Sequence, residues 1–186
     1  MKNHKNTEGM KLTKQDSLYI LEMALVMSVA FSLLLYGIGK PLQFSNPTIT
    51  QKPISALTGM ELMWAFYGYT KVYPIIMGIF EIAGALLLLF RQTRLIGGLI
   101  ITSILLNVIL QDIFYGVNVG ALYAAIVYQI SVFIIFWLNR KPISAMMRFY
   151  FNQFSTLPKS QNKWLVLILA GLGAVLLKVV EFFLTH

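Results

Sequence analysis

Glu81 poses the sharpest chemical question in this chain. It stands at the centre of VYPIIMGIFEIAGALLLLF, Val72 to Phe90, an apolar run long enough to cross a bilayer. A carboxyl group placed there is costly, and intramembrane ionisable side chains mark ligand sites, ion paths and proton relays. Burial in a low-dielectric interior disfavours the charged form. Glu81 is therefore expected to be protonated unless a lysine reaches it. Lys178 is the lysine within an apolar run, although Glu181, close by on the same stripe, is its simpler partner. A protonated Glu81 can donate a hydrogen bond to Asn107 or to Gln129.

Other apolar runs carry small and polar residues at helical spacing. Ala24, Ser28, Ser32 and Tyr36 recur every fourth residue, as do Ser103, Asn107 and Gln111; Gly171, Ala174, Lys178 and Glu181 form another stripe, and Gln129 stands alone. Counted from the outer helix ends at about 1.5 Å per residue, Glu81 lies roughly 13 Å deep, Asn107 and Gln129 about 12 Å, and Ser32 and Lys178 about 10 Å. The expected site is a polar cluster in the outer half of a bundle. Glu81 is its candidate reactive group, and Ser32, Ser103, Asn107, Gln129 and Lys178 are candidate cofactor-binding residues. For Ser28, Ser32 and Ser103, interhelical hydrogen bonding is the simpler role. Glu22 reads as interfacial, and Glu61 and Asp112 are within reach of the outer mouth.

These residues must be held by membrane helices. Of 186 residues, 58% are hydrophobic and 12% charged, against about 25% charged in a soluble domain. The apolar residues lie in five blocks, Ser17–Gly39, Val72–Phe90, Leu95–Tyr115, Ala121–Leu138 and Trp164–Leu184. None shows the polar face of a soluble helix. The fold class is all-α, a polytopic membrane bundle of four helices plus a fifth.

The domain organisation follows. Residues 1–16 form a basic cytoplasmic tail and 17–139 a four-helix membrane domain with an aromatic-rich interfacial helix at about 55–69. Residues 140–163 are an amphipathic linker and 164–186 the fifth helix. The first apolar run is too long for a cleaved signal peptide and reads as a retained anchor. In the linker, Ile143, Met146, Met147, Tyr150 and Phe154 recur at helical spacing with Arg148 opposite, the pattern of a helix lying on a lipid surface.

Charge distribution sets orientation. With the N-terminus in the cytoplasm, eleven of the fifteen Lys and Arg lie inside, and the outer side keeps Lys40, Lys52 and Lys71. The C-terminus then faces out, and the expected location is a bacterial inner (cytoplasmic) membrane. The net charge of +8 reads as a topology and lipid-contact signal; divided among loops, it argues against nucleic-acid binding.

The residue inventory prunes the chemistry. There is no cysteine, and the two histidines, His4 and His186, are terminal. Thiol–disulfide exchange, cysteine-held Fe–S clusters and paired-histidine haem are excluded, and no metal-ligand pattern is present. A redox role would need an external cofactor, such as quinone, or a partner subunit.

ELMWAFYGYTKVYPIIMGIFEIAGALLLLFRQTRLIGG resembles the DoxX family of small bacterial membrane proteins. The resemblance runs through Trp64-Ala-Phe-Tyr-Gly-Tyr69, Gly78-x-x-Glu81-x-x-Gly84 and Arg91-x-x-Arg94, and covers residues 18 to 140 approximately. The stretch QDIFYGVNVG, Gln111 to Gly120, departs from the Asn-x-x-Tyr-Asp-x-Pro-x-Lys type segment of close relatives. The resemblance implies association with membrane oxidoreductase complexes and quinone-linked redox chemistry. Three roles stay open: an accessory or quinone-interacting redox subunit, a carrier or channel for a small solute or proton, and a non-catalytic assembly subunit. Whether the chain is itself an enzyme also stays open.

Overall fold

The structure, a computed structural model, describes residues 12–45, 52–155 and 162–185. Lys2, His4, Lys5 and Lys11 of the basic tail, Lys159 of the linker and His186 lie outside the described residues. Among the described residues the chain is helical throughout: α1 (Lys14–Gln43), a 3₁₀ turn (Ile54–Ala56), α2 (Gly59–Gly68), α3 (Val72–Leu89), α4 (Arg94–Tyr115), α5 (Val119–Leu138), α6 (Arg140–Ser155) and α7 (Lys163–Thr185). Helices α1, α3, α4, α5 and α7 are each long and apolar enough to cross a membrane. The protein is a multi-pass helical membrane protein, as its apolar blocks imply.

Local sequence sets most of the boundaries. Thr13 and Thr58 each accept the backbone N–H three residues on, and Asp16 and Glu61 accept back from the cap. These are capping boxes that satisfy otherwise orphaned donors. Asn118 caps α5 through Ala121 N–H. Helix α4 ends at Gly116, whose φ of 60° favours glycine.

Helix α1 runs one turn further than the apolar run suggests. It continues through Pro41 to Gln43. Proline removes the N–H that would bond the Gly37 carbonyl, and the helix continues past it with that carbonyl turned toward α3. A Cβ on Gly37 would lie 2.8 Å from the Gly78 carbonyl oxygen, and one on Gly78 would crowd the Gly37 carbonyl more closely still. Two glycines facing each other let the backbones of α1 and α3 touch.

The chain divides into two units, Met1–Ile143 and Ser144–His186. In the first, α1 packs on α3 and α5, and α4 packs on α3 and α5, closing a four-helix ring. Val26, Val29, Leu33, Ala85, Leu88, Ile101, Leu105, Val132 and Ile135 form its core. Outward, Phe31, Leu35, Ile79, Phe80, Leu99, Leu106 and Phe133 are exposed, the apolar shell a bilayer solvates. The second unit holds most of α6 and all of α7, whose surfaces are exposed.

Each end of the ring carries its own lock. At the first, Arg94 donates to Glu22 and to the carbonyls of Leu88 and Leu89, while Asn139 donates to Glu22 at 2.8 Å. One guanidinium thus ties α1, α4 and the end of α3, and satisfies carbonyls that the end of α3 leaves open. The sequence reading counts Arg94 as a loop charge and Glu22 as interfacial; both are buried. At the opposite end α2 folds over the ring. A Cβ on Gly59 would clash with the Tyr115 backbone of α4, and one on Gly68 would approach the Phe44 carbonyl at 2.9 Å.

Candidate functional site

The α2 end of the ring encloses a cavity of about 440 Å³. Helix geometry explains what meets there. Side chains on a helix tilt toward its N-terminus. Helices α1 and α3 run antiparallel, so Lys40, one turn beyond Gly37, leans back into the bundle. Glu81, one turn beyond Gly78, leans out to meet it. Lys40 Nζ lies 2.7 Å from Glu81 Oε1, with Glu81 2% and Lys40 13% exposed. The cation that meets Glu81 is therefore Lys40, which the sequence reading places in the outer loop. Lys178 pairs with Glu181 at 2.6 Å within α7. Glu81 thus has a cationic partner, and it is Lys40 rather than Lys178.

Asp112, on the last turn of α4, lines the same cavity and is buried. Glu81 Oε2 and Asp112 Oδ2 are both buried without a hydrogen-bond partner among the described residues. The walls are Leu33, Tyr36, Trp64, Met77, Ala125 and Tyr128, among others. Apolar and aromatic walls around a few charged groups are the usual make-up of a small-molecule site.

Helix α2 forms the lid. Phe44 stacks on Tyr67 at 4.7 Å and meets Trp64 edge-on at 5.0 Å. The Tyr67 hydroxyl and the Gln111 side-chain amide are hydrogen-bonded, 2.7 Å from Nε2 and 3.0 Å from Oε1. Burial pushes the Tyr67 phenol up from its usual value, against the Gln111 hydrogen bond and with Tyr73 and then Glu81 adding to the rise. On the outer face of α2, Lys52 sits 2.6 Å from Glu61. That hydrogen bond, followed by those from Thr58, lowers the Glu61 carboxyl to about 2.

The expected cluster is only partly assembled. Glu81 and Asn107 line the cavity, whereas Ser32, Ser103 and Gln129 do not. Ser103 donates to the Leu99 carbonyl of its own helix, and Gln129 donates to Thr102 across the α4–α5 contact. Depth arithmetic gives a residue's height but not the direction in which it points. Lys40, Tyr67, Trp64 and Tyr128 belong to the site, and the sequence reading omits them from it. The available signal was a matched pair of motifs, Gly37-x-x-Lys40 and Gly78-x-x-Glu81, which antiparallel packing brings face to face.

Among the described residues no group of three or more His, Asp or Glu could hold a metal. No family model matches the chain. No solved structure matches it. Over 122 residues it is 30% identical to the "Uncharacterized protein YwoB" of Bacillus subtilis (strain 168), a match covering 64% of this chain and 77% of that protein.

Proposed function

The chain belongs to the family of the Bacillus subtilis protein YwoB, and within it we propose a DoxX-like membrane protein that binds a quinone-class amphiphile as an accessory subunit of a membrane redox system. The cavity carries this reading: it has aromatic and apolar walls for a ring and a polar floor, the Lys40–Glu81 pair with Asp112, for ring oxygens. The resemblance of residues 18 to 140 to DoxX proteins supports the redox assignment. Beyond the cavity floor, Val29, Leu88, Ile101, Val132 and Ile135 are fully buried and fill the ring, which favours a binding site over a continuous channel.

The proposed setting is the cytoplasmic membrane of a bacterium, with the N-terminus and the Arg91–Arg94 turn inside and the cavity opening outward. The loop charges support this orientation. Helix α6, with Met146, Met147 and Tyr150 exposed, would lie on anionic lipid.

Purification in a gentle detergent, with mass spectrometry of the organic extract and of co-purifying proteins, tests the proposal. Recovery of a quinone or quinol with redox subunits is expected. An extract without quinone-class lipid, together with no binding of added quinone, would overturn it.

A further inference from the structure

We infer that the cavity selects the reduced, hydroxyl-bearing form of its ligand, the hydroquinone, over the quinone. The inference rests on the quinone-class reading above and adds the redox form. Glu81 and Asp112 are each more than nine-tenths buried, both line the cavity, and each has one carboxyl oxygen without a partner. Lys40 is bonded to one oxygen of Glu81, and the other is buried without a partner among the described residues. The unmet demand at the floor is therefore for hydrogen-bond donors.

The two redox forms differ in that property. A hydroquinone carries two O–H donors at opposite ends of its ring; the quinone carries two carbonyl acceptors and no donor. A donor that reaches the ion-paired Glu81 carboxylate makes a charge-assisted hydrogen bond. A carbonyl set against a carboxyl oxygen leaves both unmatched in a desolvated site, and such a mismatch is more costly than a missing favourable contact. Tyr36, Tyr128 and Asn107 supply donors elsewhere on the wall, so the quinone can still bind, but more weakly. One satisfied acceptor against a stranded one gives an expected preference of about tenfold. A tenfold preference would raise the midpoint potential of the bound two-electron couple by about 30 mV.

The test is anaerobic calorimetric titration of the purified full-length protein with duroquinone and with durohydroquinone, each corrected with a micelle-only blank. Tighter binding of durohydroquinone by about tenfold is expected. Asp112→Asn is nearly isosteric and replaces one acceptor oxygen with a donor, so it should bring the two affinities together or reverse their order while total binding persists. Equal or tighter binding of duroquinone by the native protein would overturn the inference and leave the quinone-class reading standing. So would a preference that Asp112→Asn leaves unchanged, since ligand polarity alone would then account for it. Absence of binding by either compound would overturn both.

Discussion

Lys40 and Glu81 form a buried ion pair between α1 and α3, 2.7 Å apart and one helical turn from the glycine contact that brings the two helices together. Two like-length substitutions that each remove one charge should therefore behave alike. Removing one member of a buried pair strands the other, at a cost of about 3–5 kcal/mol, whereas removing both is far less damaging. Lys40→Met and Glu81→Gln should each lower thermal stability in detergent, and the double variant should recover most of the loss. Additive losses in the double variant would show that the two residues do not depend on each other.

The glycine contact is expected to be equally specific. A Cβ on Gly78 meets the backbone of α1 rather than a movable side chain. Gly78→Ala must separate the helices, at about 1–3 kcal/mol, and should weaken ligand binding by pulling Lys40 away from Glu81. Gly39, two residues from the contact on α1, has open space around its Cβ position. Gly39→Ala should therefore stabilise by about 0.5–1 kcal/mol through helix propensity alone. Thermal melts of the two variants, read side by side, check the assignment of the contact face.

Much of this architecture was legible in the residues. Composition and block length suffice for the five membrane helices, because lipid leaves the backbone little choice but helix. Glu81 stood out because a carboxyl in an apolar run is rare. Its partner was not visible. Lys40 lies just past the apolar run that ends at Gly39, whereas α1 continues to Gln43 and carries Lys40 to the packed face against α3. Arg94 was hidden for a related reason: it lies in a short turn between two spans, where basic residues ordinarily signal topology. Gln129 and Ser103 have the right depth, but they point at a neighbouring helix and at their own backbone.

The lid should respond to acid. Glu61 titrates at about 2 in the folded chain against an ordinary 4.5. Its folded value is depressed, so its contribution to α2 is fully present above 4.5 and is lost as the pH falls toward 2. Trp64 fluorescence, reporting on the cavity wall, should change across that window in the native protein. Glu61→Gln should remove the part of the change that comes from the cap. An identical titration in the variant would place the acid response elsewhere.

Orientation can be read chemically, because the chain contains no cysteine. Val119, the first residue of α5, lies at the α2 end of the ring. Val119→Cys should react with a membrane-impermeant maleimide added to intact cells. Reaction only after the cytoplasmic side is exposed would invert the proposed topology and turn the cavity mouth inward.

The central claim is that the cavity above Lys40 and Glu81 holds a quinone-class ring, and photoaffinity labelling tests it most directly. Membranes carrying the protein would be irradiated with an azidoquinone and the labelled peptides mapped, in the native chain and in Ala124→Phe, which projects a ring into the cavity from α5. Labelling should fall on the lid around Met60 to Tyr67 or on the α1 end from Leu33 to Phe44, and Ala124→Phe should abolish it. Label confined to lipid-facing residues or to α7, and indifferent to Ala124→Phe, would contradict the account.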